Sequence, residues 1–245
     1  MTRVRPQGGG GTLYLVATPI GNLEDITQRA VRILSEVAAV AAEDTRRTRR
    51  LLDHLGLSVP LLSLFEHNER GRTPGLVRRL AAGESLAVVT DAGSPGIADP
   101  GFPLVRAALA ENIRVESIPG PSAVIAALQV SGFATDAFTF IGFLPPRSAA
   151  RRRKLTELVE RRETIVAFET PHRIEAALED VEAVWGERPI ALARELTKTF
   201  EEVVRGTAAE VRGELDAGRR RGEMVLVLSG WTRAARRADV SGEES

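Results

Sequence analysis

Short, uniformly apolar runs recur along this chain, and each stops at a cluster of glycine, proline and acid. The clearest is Leu86 to Thr90 (LAVVT), which runs into Asp91-Ala92-Gly93-Ser94-Pro95-Gly96-Ile97-Ala98-Asp99-Pro100-Gly101. A strand without polar alternation must be covered on both faces, as parallel strands in α/β layers are. Thr12 to Thr18 (TLYLVAT) reads the same way. Between such runs the apolar spacing is helical, as at Ile26, Ala30, Ile33, Leu34 and Val37. Strands are therefore predicted over 12–18, 37–42, 61–65, 86–90 and 113–118. Helices are predicted over 26–37, 46–55, 75–82 and 102–111. This alternation defines an α/β domain with a mostly parallel sheet. It closes at Pro119-Gly120-Pro121, a run of turn formers.

The second half begins with a predicted helix over 122–130. Strands follow at 138–142, 164–168, 190–194, 200–206 and 224–228, with helices at 149–161, 172–184 and 208–217. That order suits a mixed sheet. Two domains are expected, 12–120 and 121–230, flanked by flexible tails at 1–11 and 231–245. The glycine run Gly8 to Gly11 follows no strand and lacks phosphate-loop spacing. The Phe138, Phe140, Phe143 alternation reads as core.

Composition removes several chemistries. With no cysteine, disulfides, thiolate nucleophiles and Cys-ligated metals are excluded. The three histidines, His54, His67 and His172, are scattered, and no metal site is expected. No apolar run is long enough for a transmembrane helix, and no membrane partner is expected. Met1 to Gly11 has no apolar signal-peptide core, so a cytoplasmic location is expected. Lys+Arg and Asp+Glu are 33 each, which gives no overall basic field for nucleic acid. The exception is local: Arg147, Arg151, Arg152, Arg153 and Lys154 follow one another without an acid. This segment reads either as a solvated helix face or as a grip on RNA phosphates.

Four predicted strand ends are rich in glycine, proline and acid. They are the 91–101 loop, Pro19-Ile20-Gly21-Asn22, Glu43-Asp44-Thr45-Arg46 and Pro119-Gly120-Pro121-Ser122. Open α/β sheets bind ligands at such ends. Each could also be a plain capped turn. Their number points to a ligand cleft at one edge of the sheet. Proton acceptors there are Glu43, Asp44 and Asp91, with Glu195 in the second half.

The segments LYLVATPIGNLEDIT, AAEDTRRTRRLL, SLFEHNE, VTDAGSPGIADPG, IPGPSA, GFLPPR, FETPHRI, ARELTKTFEE and GEMVLVL occur in that order. In this the chain resembles bacterial small-subunit ribosomal RNA 2'-O-methyltransferases, a branch of the tetrapyrrole methylase family. The resemblance runs over about Thr12 to Ser229. It implies a two-domain tetrapyrrole-methylase-like α/β fold, a homodimer, and S-adenosylmethionine bound in a cleft between the domains. The implied cofactor residues are Pro19, Ile20, Asp91, Gly93, Ser94, Gly96, Ile97, Ser122 and Ala123, with Phe168, Ala193 and Met224 from the second domain. The implied substrate is the ribose 2'-hydroxyl of a decoding-centre cytidine in 16S ribosomal RNA of the small subunit. Such a hydroxyl must give up its proton to a base. Glu195 or Asp44 is expected to face it, with Lys198 or Arg46 steadying the developing alkoxide. Candidate RNA contacts are Arg46, Arg147, Arg151, Arg152, Arg153, Lys154 and Arg173. Three rival readings are a precorrin-type tetrapyrrole methylase, a diphthine synthase and a cofactor-sensing RNA-binding protein without turnover.

Overall fold

The apolar runs of the first half form β1 (Thr12–Val16), β2 (Ala39–Ala42), β3 (Leu61–Ser63), β4 (Leu86–Val89) and β5 (Arg114–Ile118). The computed structural model describes residues 10–215 and 221–231. Residues 1–9 and 232–245 of the two expected tails, and the predicted end of the helix over 208–217, lie outside the described residues. All five strands pair in parallel, in the order β3-β2-β4-β1-β5. β2 and β4 are buried at every residue, which is why AVAA and LAVV carry no polar alternation.

Helices cover both faces of this sheet. α1 (Gln28–Glu36) and α2 (Thr45–His54) set Ile33, Leu34 and Leu52 against Val40, Ala42 and Val89. α3 (Glu69–Ala81) and α4 (Phe102–Ala110) set Leu76, Leu80 and Leu104 against Ala41, Leu86 and Val88. α3 starts six residues before its predicted start. Gly71, Pro74 and Gly75 hide its period, and Pro74 supplies no N–H to the helix ladder. Burial of Thr73, Leu76 and Leu80 overrides that local preference.

The second half forms β6 (Phe138–Phe143), β7 (Thr164–Glu169), β8 (Ile190–Arg194), β9 (Glu202–Gly206) and β10 (Met224–Leu228). Their order is β6-β7-β10-β8-β9. Only β6 and β7 run parallel; the other pairs are antiparallel. α6 (Ser148–Leu158), α7 (Ile174–Trp185) and α8 (Ala208–Glu214) build the main core here with Ile165, Leu192, Leu226 and Leu228. α5 (Ala123–Ser131) packs against β10, β8 and β7. The chain divides into two compact units between Ser122 and Ala123.

Two expectations need correction. β9 begins at Glu202, because Lys198 N–H bonds to the Glu195 carbonyl and Glu201 N–H to the Lys198 carbonyl, which turns the chain. The phenylalanines of β6 are not core: Phe138 and Phe143 are 39% and 51% exposed. β6 is an edge strand whose register shifts between Phe140 and Phe143, where Gly142 takes φ +68°. The bulge carries Phe143 out of the alternating pattern.

Candidate functional site

β1 and β4 are neighbours, yet the chain leaves them toward opposite faces, to α1 from β1 and to α4 from β4. This is the topological switch point, where open α/β sheets hold ligands beyond their carboxyl ends. The two strand ends are stitched together there. Thr18 N–H donates to the Gly93 carbonyl at 2.9 Å, and Gly93 N–H donates back to the Thr18 carbonyl at 3.0 Å. The Thr18 hydroxyl donates to the Thr90 carbonyl at 3.0 Å. Gly93 and Gly96 both lie in the left-handed region, at φ +80° and +79°. Glycine is the residue that holds such a path without steric cost. Ile20 is buried beside Gly93; Pro19 and Ser94 are half-buried, and Ile97 is 50% exposed. Ser122 and Ala123 are half-buried at the unit boundary.

The end of β2 is locked to the same loop. Asp91 N–H donates to Glu43 Oε2 at 3.2 Å, and Asp44 N–H donates to Asp91 Oδ1 at 3.2 Å. Arg47 reaches Asp91 Oδ2 at 3.3 Å. Asp91 therefore braces the loop with its own side chain. Burial pushes the Glu43 carboxyl above its ordinary pKa, against the opposing pull of the Asp91 amide. Asp44 is in the opposite state. It caps α2 by accepting from Arg46 N–H at 2.8 Å, and the Arg46 guanidinium holds it far below the usual carboxylate range. The Thr90 hydroxyl is buried and has no partner among the described residues. A buried hydroxyl left so is free to take a hydrogen bond from a ligand or an ordered water.

In the second unit the register separates the three implied pocket residues. Phe168, Val225 and Ala193 lie in one row across β7, β10 and β8, so their side chains share a face. Phe140 and Phe143 meet Phe168 edge-on, with ring centroids 4.9 and 5.5 Å away. Met224 is on the other face, in the core with Ala167 and Leu192. It is a correction to the reading from sequence: Met224 can reach a ligand on the Phe168 face only through its main chain, because neighbours along a strand point to opposite sides.

Glu195 and Lys198 do come together. Lys198 Nζ is 2.8 Å from Glu195 Oε1, and Glu223 N–H donates to the same oxygen at 3.0 Å. Burial opposes ionisation of Glu195, but these two donors outweigh it and the carboxyl lies below its ordinary pKa. Burial likewise opposes the Lys198 charge, and the Glu195 and Glu223 carboxylates raise it despite that. Glu195 and Thr197 both adopt left-handed φ, +50° and +67°, and the Thr197 hydroxyl is buried without a partner among the described residues. Non-glycine residues are held there only by surroundings that over-determine them.

The basic segment splits in two. Arg151 is turned inward, 2% exposed, bound to Asp180 at 2.6 Å and to the carbonyls of Pro145 and Ala176. A guanidinium spent in this way cannot hold RNA, and Arg151 is corrected to a structural residue. Arg152 shares Asp180 but is half exposed. Arg147 and Arg153 are exposed, and Lys154 pairs with Glu157 at 3.3 Å. Arg173 is tied at 2.7 Å to Glu169, whose carboxylate is buried. Among the described residues no group of three or more His, Asp or Glu side chains is placed to hold a metal, and no helix is long and apolar enough to cross a membrane.

The fold has solved counterparts. Diphthine synthase superposes with a TM-score of 0.68 at 14% identity, over 93% of this chain and 94% of that one. Uroporphyrin-III C-methyl transferase from Thermus thermophilus, complexed with S-adenyl homocysteine, superposes with a TM-score of 0.59 at 20% identity, over 89% and 92%. The family described as tetrapyrrole (corrin/porphyrin) methylases matches residues 12–212, and this chain belongs to it. Within that family, curated relatives named ribosomal RNA small subunit methyltransferase I match this chain over most of its length. The protein of that name from Xylella fastidiosa is 51% identical over 90% of this chain and 82% of its own length. Those from Pseudomonas aeruginosa and Halalkalibacterium halodurans are 49% and 46% identical, over 90% of this chain and 79% and 76% of their own lengths.

Proposed function

We propose that this chain transfers the methyl group of S-adenosylmethionine to the ribose 2'-hydroxyl of a cytidine in the 16S ribosomal RNA of the small subunit. As a member of the methylase family it is a methyltransferase. Its relatives at about half identity, named for the small-subunit RNA, carry the choice of substrate. The observation that supports the site is the stitched loop at the switch point, with two left-handed glycines and, just after β4, a buried Thr90 hydroxyl without a partner among the described residues. These groups suit the cofactor: the left-handed glycines let it approach the main chain closely, and the hydroxyl can meet a polar group, without adding positive charge near a sulfonium.

The cofactor supplies an already activated methyl group, so the protein has to position the acceptor and manage its proton. Pro19, Ile20, Asp91, Gly93, Ser94, Gly96, Ile97, Ser122, Ala123, Phe168 and Ala193 are the proposed holders. Of the strand-end carboxylates, Glu43 has the raised proton affinity and is the proposed proton acceptor, in place of Asp44. Glu195 positions Lys198, whose ammonium steadies the developing oxyanion. Arg147, Arg152, Arg153 and Lys154 on α6, with Arg46 and Arg173, are the proposed phosphate contacts. The protein acts in the cytoplasm as a homodimer in this reading.

The experiment offers labelled S-adenosylmethionine three acceptors: unmethylated small subunits, free 16S ribosomal RNA and a tetrapyrrole. Label in a cytidine ribose of the RNA is the expected result. Label only in the tetrapyrrole, or in none of the three, sinks the proposal.

A further inference from the structure

A groove lies on the first unit, at α2 and the edge strand β3. It is open, with a volume of about 510 Å³, and is lined by Thr45, Arg46, Arg49, Arg50 and Leu61. Positions 46, 49 and 50 are three and four residues apart, so they share one face of α2. Arg47 leaves that face for Asp91. Arg46 is held by Asp44, but neither Arg49 nor Arg50 has an ion-pair partner among the described residues, although Asp53 is one turn away. Like charges at this spacing repel one another. The chain holds 33 acids for 33 bases, enough to neutralise every arginine. Arg49 and Arg50 nevertheless stay exposed without an ion-pair partner among the described residues, which leaves their charge open to an external anion. The three guanidiniums are spread over about 6 Å of helix rise, which suits a polyanion better than a single small ion.

An exposed aromatic ring at the same end of the sheet points to the kind of polyanion. Ser63 of β3 pairs with Ala42 of β2, so Phe65 emerges at the end of the sheet where α2 begins. Phe65 is 39% exposed, with His67 edge-on to its ring at 6.3 Å. Its N–H is held by Asn68 Oδ1 at 2.9 Å, so a fixed turn presents the ring. A basic groove beside an exposed aromatic ring is how proteins hold single-stranded nucleic acid, with arginines on phosphates and the ring under a base.

We propose that this groove docks a single-stranded segment of the RNA substrate, with Arg46, Arg49 and Arg50 on its phosphates and Phe65 stacked on a base. The proposal rests on the reading of RNA as substrate and adds a contact surface separate from α6. The test compares Arg49→Gln/Arg50→Gln and Phe65→Ala with the unaltered chain. It measures affinity for a labelled single-stranded RNA of mixed sequence across a salt series, with S-adenosylmethionine affinity measured alongside. The double variant is expected to bind RNA more weakly by on the order of tenfold, with the slope of log affinity against log salt reduced by about 1.4, near 0.7 for each lost phosphate contact. Phe65→Ala is expected to lose several-fold in affinity at unchanged slope. Cofactor affinity stays as it was. RNA affinity and slope unchanged in the double variant overturn the proposal. So does weaker binding to small subunits with RNA binding unchanged, which would assign the groove to an acidic protein surface. Methyl transfer is scored separately: a chain that binds RNA through this groove but methylates none refutes the functional reading and leaves the groove standing.

Discussion

Glu43 and Asp44 are adjacent in sequence and opposite in chemistry. Asp44 faces the first turn of α2 and is locked as a charged cap by Arg46. Glu43 faces the end of β4, where burial raises its proton affinity. Glu43→Gln is expected to lower kcat on methyl transfer by about 10²- to 10⁴-fold, the range for a lost general base, with little change in KM for the cofactor. The pH profile sharpens the test. A raised carboxyl pKa moves the acidic limb of kcat to higher pH than an ordinary glutamate would give, and the variant should lose that limb. The same shift has a sign for stability. A carboxyl whose folded pKa is raised favours the fold while protonated, and this contribution disappears as pH rises through the folded pKa. Glu43→Gln should therefore not destabilise the protein at neutral pH, as urea unfolding would show. A variant that unfolds early instead would make Glu43 a structural brace.

At the level of elements, two devices hold the candidate site in shape. The first is the pair of hydrogen bonds between Thr18 and Gly93. Gly93→Ala leaves ordinary space around the new methyl, 3.6 Å from Ile20 Cγ2, but forces an L-residue to φ +80°. The expected cost is about 1–2 kcal/mol in thermal unfolding, with weaker S-adenosylmethionine binding by calorimetry as the loop relaxes. Unchanged cofactor affinity would detach this loop from the cofactor. The second device is the buried pair of Arg151 on α6 and Asp180 on α7. Burial opposes the Asp180 charge, yet Arg152, Ser148 and Arg151 bring its pKa below the ordinary value. A depressed carboxylate stabilises above its unfolded pKa, and that stability is lost as pH falls through the folded one. Asp180→Asn leaves Arg151 buried without its partner charge and should cost about 3–5 kcal/mol in denaturant unfolding. Neutralising Arg151 to probe RNA binding would therefore report folding instead.

Over the whole molecule the charges cancel, so no long-range field draws RNA in. Affinity has to arise from local clusters, of which α6 offers one. Arg153→Gln/Lys154→Gln should weaken binding to 16S ribosomal RNA and lower its salt slope by about 1.4, without altering cofactor binding in calorimetry. An unchanged slope would remove α6 from the interface.

Much of this architecture was legible in the sequence. AVAA and LAVV announce strands covered on both faces, because a parallel strand has no solvent side to mark. The glycines of the 91–101 loop announce left-handed turns, because conformational freedom is a property of the residue itself. The ordered motifs also carried the family. Tertiary structure decided which neighbours a side chain meets. Arg151 and Arg153 are both arginines on α6, yet one faces Asp180 and the other faces water. Met224 and Phe168 were grouped in one pocket, and strand register put their side chains on opposite faces. Glu43 and Asp44 part in chemistry because one is partly buried against the loop after β4 and the other is held by Arg46. Propensity and pattern are written along the chain; burial, register and charge pairing exist only between segments distant along it, and these set the chemistry of the site.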